Sequence, residues 1–281
     1  MPDTFQTNQP DDRCSTGIEK PVPLAEPLPP EIHQIGRSEI WGGMRNVDLD
    51  VDLNICTSGL TGSVYSKASD GNEGGDIYFL SVCGSDKLTR IVVADVSGHG
   101  ARVSELSGWV YRILQEHMHR LGGNQALEDL NSLLSSRGFE ALTTAVVAGF
   151  RLGDSKLYFS YAGHPPLFLK RRNAERWIPL LLDGSADRSN LPLGVLPTMR
   201  YDQAETPLVA GDRFLLYTDG VLECPDANGV EFGEERLLRV LEKCGNRSLV
   251  DIKASVIAEL REYAEHWPSV DDVTLMAFEV R

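Results

Sequence analysis

One stretch of ten residues, 91–100, combines a strand, a turn and the start of a helix around a single carboxylate. Residues 91–94 (IVVA) are apolar and rich in β-branched side chains, which predicts a buried strand. Asp95 ends that strand, and the turn that follows contains Gly98 and Gly100. A carboxylate on a rigid strand suits a metal ligand, and a glycine turn before a helix N-terminus suits phosphate. A plain turn that caps a helix is an equally good interpretation of these residues alone.

Three further acidic turns border apolar strands in the same way: Asp76, Asp219 and the pair Asp271-Asp272. Asp76 opens a predicted hairpin whose second strand ends at Asp95, so antiparallel pairing would bring the two carboxylates close together. Carboxylates without accompanying cysteines or clustered histidines favour Mg²⁺ or Mn²⁺ over zinc. Repelling carboxylates in one pocket are costly unless cations balance them. The pattern therefore predicts a metal centre, provided that the turns converge.

Hydrophobic periodicity predicts a mixed α and β chain. Apolar or alternating runs predict strands at 48–55, 77–82, 88–94, 143–150, 156–162, 167–170, 213–218 and 273–280. Helical spacing predicts one helix pair at 101–121 and from Asn124, and another at 233–243 and from Ser248. Residues 171–190 read as a polar, mobile loop. His164, between a glycine and a proline, is interpreted as an anchor of its turn, with a general base as the alternative.

Composition excludes several classes of protein. A net charge of −14 argues against a nucleic-acid surface. No apolar run is long enough to span a membrane, and the first residues do not resemble a signal peptide. Five scattered cysteines suggest neither a disulfide framework nor a zinc site, so a soluble protein of the cytoplasm is expected. Residues 1–36 contain 7 of the 15 prolines and are predicted to be a flexible arm before a single domain at 37–281.

Seven motifs occur in order along the chain: 75–76 (GD), 94–100 (ADVSGHG), 161–166 (YAGHPP), 193–197 (LGVLP), 216–223 (LYTDGVLE), 231–236 (EFGEER) and 271–274 (DDVT). Together they resemble the SpoIIE-type branch of the PPM (protein phosphatase 2C-like) family of metal-dependent serine/threonine phosphatases. The resemblance covers roughly residues 60–281. Any one of these motifs alone would be weak, but seven in sequence are specific.

The resemblance implies an α+β fold, a four-layer α-β-β-α sandwich of two antiparallel sheets flanked by helices. It also implies a centre of two Mn²⁺ or Mg²⁺ ions. Asp95 matches the carboxylate that bridges both ions, and Val96 would offer its backbone carbonyl to one of them. Asp219 and Asp271 match the other ligands of the second ion. Asp76 matches the acidic residue at the rim, which acts on a metal directly or through water.

Two positions near these ligands leave alternatives open. Eukaryotic relatives carry a histidine two residues after the bridging aspartate as the proposed general acid, whereas this chain has Ser97 there and His99 two residues later. His99 is therefore a candidate that assists the leaving group or, equally, a residue of the helix start. Asp272 is the alternative ligand to Asp271, but a neighbour along a strand would point away.

The activity implied is hydrolysis of phosphoserine or phosphothreonine on a protein substrate. In this branch the substrate is often an anti-sigma-factor antagonist in a partner-switching pathway. Two alternatives share the scaffold: a catalytically inactive domain that serves as a binding module, and a hydrolase of small phosphoesters. The loops that select a substrate do not distinguish these alternatives by sequence. A serine hydrolase built on Ser97 and His99 is a weaker interpretation, because that serine lacks a Gly-x-Ser-x-Gly elbow.

Overall fold

The computed structural model describes residues 32–34, 39–42, 51–69, 74–82, 87–97, 101–117, 123–136, 142–182, 190–265, 267 and 271–281. Most of the predicted N-terminal arm, together with Gly98, His99 and Gly100, lies outside the described residues. The helices are α1 (Ala101–His117), α2 (Gly123–Ser135), α3 (Gly233–Cys244) and α4 (Leu249–Tyr263). Within the described part of the chain, no helix is long and apolar enough to span a membrane.

The strands build two sheets. In chain order they are β1 (Ile32–Gln34), β2 (Glu39–Gly42), β3 (Val51–Cys56), β4 (Leu60–Lys67), β5 (Asp76–Val82), β6 (Leu88–Val96), β7 (Thr143–Arg151), β8 (Lys156–Ala162), β9 (Phe168–Lys170), β10 (Ile178–Pro179), β11 (Gln203–Pro207), β12 (Arg213–Tyr217) and β13 (Val273–Val280). Over these described strands, sheet A has the order β1-β3-β4-β13-β12-β9-β10 and sheet B the order β11-β8-β7-β6-β5-β2. Neighbours are antiparallel, except that β1 runs parallel to β3.

The two sheets pack face to face, and their strands alternate accordingly. On β6, Ile91 and Val93 join the core between the sheets, whereas Val92 and Ala94 join the core beneath α1 and α2. On sheet A, α3 and α4 cover the outer face in the same manner. Both faces of each sheet are therefore buried, which explains the nearly continuous apolar runs of these strands. The expected four-layer α-β-β-α sandwich is confirmed.

The expectation of a mobile loop over residues 171–190 is wrong for its described part, 171–182. Ile178–Pro179 form β10 at the edge of sheet A, paired with β9. Trp177 and Leu182 are only 3% and 5% exposed. The burial of these two large side chains holds the segment against the sheet, although its first half, residues 171–176 (RRNAER), is mostly charged.

Candidate metal centre

Asp76 and Asp95 lie opposite each other on the antiparallel pair β5–β6, as the hairpin pattern predicted. The alternation of β6 continues from Ile91 and Val93 to Asp95, so its side chain lies on the face toward sheet A. The same reasoning applies to Asp76, because Tyr78 and Leu80 of β5 belong to the core between the sheets. Both carboxylates therefore stand at one end of the sandwich, immediately beyond its apolar core.

Sheet A supplies the remaining carboxylates at the same end. Asp219 begins a short 3₁₀ turn, Asp219–Val221, directly after β12, and Asp271 comes just before β13. The two segments touch, because a Cβ atom built on Gly220 would lie 1.9 Å from the main-chain oxygen of Asp272. Only glycine permits this approach, and the approach brings Asp219 beside Asp271.

Electrostatics show that these groups share one space. Burial, together with the charges of four neighbouring carboxylates, raises the pKa of Asp95 to about 8; the four are Asp219, Asp271, Asp272 and Glu223. Burial also raises the pKa of Asp219. Ionising all of these groups together is unfavourable without a counter-charge, and a divalent cation supplies that charge most directly.

Glu223 was not singled out from the sequence as a site residue. It lies four residues after Asp219, at the exposed edge of the cluster, and burial followed by the charge of Asp219 raises its pKa. The 216–223 motif contained this residue, but nothing in the local pattern indicated that its side chain would add to the field at Asp95.

The predicted carbonyl ligand lies beside the predicted bridging carboxylate. A Cβ atom on Gly75 would be 2.5 Å from the main-chain oxygen of Val96 and 3.0 Å from Oδ1 of Asp95. Both oxygens therefore border the same small space, which glycine leaves open. Carboxylate and carbonyl oxygens are the donors that Mg²⁺ and Mn²⁺ prefer, so the residues present fit such ions.

The carboxylates do not form a closed cage. Over the described residues, no three side chains of histidine, cysteine, aspartate or glutamate make a ready-made ion site. Mg²⁺ usually keeps several water ligands and takes only one or two carboxylates from the protein.

The carboxylate of Asp272 accepts hydrogen bonds from the main chain. Its Oδ1 accepts a hydrogen bond from the N–H of Ser69 over 2.7 Å, and its Oδ2 accepts from those of Gly75 (2.5 Å) and Asp76 (3.2 Å). Three main-chain donors thus occupy a carboxylate that is only 5% exposed. The N–H of Asp272 donates to Oδ1 of Asp271 over 2.8 Å. The geometry therefore favours Asp271 as the ligand of the pair.

His164 lies behind the centre. It is 1% exposed, and its Nδ1 is 3.0 Å from Oγ1 of Thr144, the residue opposite Asp95 on β7. Burial lowers the pKa of His164 to about 3, so the ring is neutral at physiological pH. These contacts support the interpretation of His164 as an anchor. The other histidine candidate, His99, and the predicted phosphate-binding Gly98 and Gly100 lie outside the described residues.

The chain is similar in sequence to a family of known proteins. Residues 85–281 match the sequence model of the family described as stage II sporulation protein E (SpoIIE). Stage II sporulation protein E of Bacillus subtilis (strain 168) is 26% identical over 167 residues, which are 59% of this chain and 19% of that protein. Phosphoserine phosphatase RsbU of the same organism is 25% identical over 143 residues, which are 50% of this chain and 41% of that protein. The match thus spans less than half of either relative.

A solved structure has the same fold. It contains the PP2C phosphatase domain and a fragment of the regulatory domain of SpoIIE from Bacillus subtilis. The superposition has a TM-score of 0.66 at 22% sequence identity and covers 79% of this chain and 63% of that chain.

Proposed function

Because the chain belongs to the SpoIIE family, we propose that it is a metal-dependent phosphatase that removes phosphate from phosphoserine or phosphothreonine on a protein. The observation that carries this proposal is the convergence of carboxylates from four separate segments on one end of the sandwich. The raised pKa of Asp95 reports that convergence, since its causes include carboxylates from two distant turns. A purely structural site would not gather like charges in this way.

The residues take the following roles in this proposal. Asp95 would be a ligand of both of two Mn²⁺ or Mg²⁺ ions, the carbonyl of Val96 would be a ligand of one of them, and Asp219 and Asp271 would hold the second. Asp76, which lies opposite Asp95, would contribute directly or through water. Bound at such a site, the ions activate water at neutral pH and neutralise charge on the phosphoryl group. The chain itself positions the groups, and no covalent phosphoenzyme forms.

The substrate class follows from the relatives. One of them is named a phosphoserine phosphatase, which supports a phosphoprotein substrate here, and we propose an anti-sigma-factor antagonist in a partner-switching pathway. We also propose that the protein works in the cytoplasm. Among the described residues, Cys56, Cys224 and Cys244 form no disulfide and are buried, which suits a reducing compartment.

The test is hydrolysis of a phosphoserine peptide and of a small aryl phosphate, each with Mn²⁺, with Mg²⁺ and with chelator. We expect metal-dependent release of phosphate from the peptide, and a loss of at least about 10³-fold in Asp95→Asn. Asp154→Asn is the matched control, because Asp154 is a carboxylate on the β7–β8 turn, at the other end of β7 from Thr144. Turnover of the aryl phosphate alone would favour a small-molecule phosphoesterase. Metal binding without any turnover would favour a binding module.

A further inference from the structure

Sheet B carries Asp76 and Asp95, whereas Asp219 and Asp271 lie next to strands of sheet A. Asp76 makes a direct hydrogen bond between these two halves of the centre. Oγ1 of Thr218, at the end of β12, lies 2.8 Å from Oδ2 of Asp76. Thr218 is 0% exposed and Asp76 is 5% exposed. This hydrogen bond therefore joins β5 of sheet B directly to the residue that precedes Asp219 in sheet A.

The hydrogen bonds of Thr218 have a fixed direction. The N–H of Thr274 on β13 donates to Oγ1 of Thr218 over 2.9 Å. The hydroxyl oxygen accepts in that bond, so its own proton is available to the Asp76 carboxylate. Oγ1 of Thr274 in turn lies 3.0 Å from Oγ of Ser66 on β4. Polar contacts thus extend from β4 through β13 and β12 to Asp76.

Asp272 holds the main chain at the same place. Its carboxylate accepts from the N–H groups of Gly75 and Asp76. Asp76 is therefore attached to sheet A through its side chain, to the hydroxyls of Thr218 and Thr274, and through its main chain, to Asp272. Thr218 precedes the predicted ligand Asp219, and Asp272 follows the predicted ligand Asp271.

Packing alone does not require a hydroxyl at position 218. On β12, Phe214 and Leu216 belong to the core between the sheets, and Thr218 takes the next position on the same face. A valine has nearly the same shape and would extend that apolar face. Burying a hydroxyl against a carboxylate is costly unless each group is paired, and here both are.

We propose that Thr218 is a positioning residue of the metal centre, which sets the distance between the Asp76–Asp95 half and the Asp219–Asp271 half. Asp272 assists by fixing the main chain of Asp76. The inference rests on the proposed function, since it assigns Thr218 a role in metal binding. Thr218 touches no substrate, and it acts only through Asp76 and through the segment that carries Asp219.

The experiment compares Thr218→Val, which removes the hydroxyl at nearly constant volume, with Thr218→Ser, which keeps it. Mn²⁺ affinity is measured by isothermal titration calorimetry on the full chain, beside melting curves in chelator. The matched control is Thr89→Val. Thr89 is 3% exposed and donates to Thr57 at the opposite end of β6, so this change also removes a buried hydroxyl.

We expect Thr218→Val to bind Mn²⁺ at least about tenfold more weakly than the wild type, because loss of a group that orients a ligand typically costs 10–100-fold. Thr218→Ser should stay within about threefold, and Thr89→Val should bind as the wild type does. Raising the Mn²⁺ concentration should restore the phosphatase activity of Thr218→Val, whereas a purely structural defect would not respond. If Thr218→Val does not fold, Thr218→Ala replaces it, because alanine differs from serine by the hydroxyl alone.

The outcomes separate this inference from the proposed function. Wild-type affinity for Mn²⁺ in Thr218→Val would overturn the inference, and so would equally weakened Mn²⁺ binding in Thr218→Ser. Neither result would contradict the proposed phosphatase function. Failure of the wild type to bind either Mn²⁺ or Mg²⁺ would overturn both.

Discussion

The substitution Asp95→Asn should stabilise the metal-free protein. Burial and neighbouring carboxylates raise the pKa of Asp95 from 3.8 to about 8. Between these values the folded protein retains a proton that the unfolded chain has lost. The free energy of unfolding therefore falls as pH rises through this window. Asparagine has nearly the same shape, does not titrate, and escapes this penalty.

The size of the effect follows from the same two values. One pH unit is worth about 1.4 kcal/mol, so the penalty accumulated between the unfolded pKa of 3.8 and pH 7 is at most about 4 kcal/mol. Each kcal/mol shifts the Tm of a domain of this size by roughly 2–4 °C, so Asp95→Asn should melt on the order of 10 °C higher in chelator at pH 7. The gap should shrink to nearly zero at about pH 4.

The assay is differential scanning calorimetry of both proteins in chelator from pH 4 to pH 8, followed by the same series with Mn²⁺. Mn²⁺ should raise the Tm of the wild type most at high pH, where the carboxylates must ionise, and should raise that of the variant little. Asp154→Asn provides the control for a surface carboxylate. A variant less stable than the wild type in chelator at pH 8, or a gap that does not change with pH, would show that burial and the neighbouring carboxylates do not raise the pKa of Asp95 as described.

Three further changes test other parts of the site. Asp271→Asn should abolish stabilisation by Mn²⁺ without lowering the Tm in chelator. Asp272→Asn should lower the free energy of unfolding in chelator by about 2 kcal/mol, because it removes the anionic acceptor of three main-chain N–H groups. Equal urea midpoints for the two variants would contradict these different roles. Gly220→Ala should destabilise by at least about 2 kcal/mol in urea, since its Cβ would lie 1.9 Å from a main-chain oxygen. Asn131→Ala should make residues 190–197 more sensitive to limited proteolysis, because the side-chain amide of Asn131 donates to the carbonyl of Leu196 and accepts from the N–H of Gly194. An unchanged cleavage pattern would show that these two hydrogen bonds do not hold the segment in place.

Much of the fold could be predicted because its strands are strongly patterned. The apolar, β-branched run at 91–94 predicted a strand over 88–94, and its pairing with 77–82 placed Asp76 near Asp95, as the structure confirms. The strand β11 was missed, because its five residues, Gln203–Pro207, include one apolar side chain besides proline and stand at a sheet edge. Short polar edge strands form through main-chain pairing with a neighbour, which a local pattern does not reveal.

The sequence by itself determined which acidic residues border strands and which family the motifs resemble. Antiparallel pairing of two neighbouring predicted strands is enough to bring Asp76 close to Asp95. Only the tertiary structure decided that Asp219 and Asp271, more than 100 residues farther along the chain than Asp95, meet this pair. It also decided that Asp272 binds main-chain N–H groups and that Thr218 contacts Asp76. The physical reason is that local periodicity sets the direction of a side chain, whereas its partner depends on how two separately formed sheets pack, which involves contacts between residues far apart in sequence.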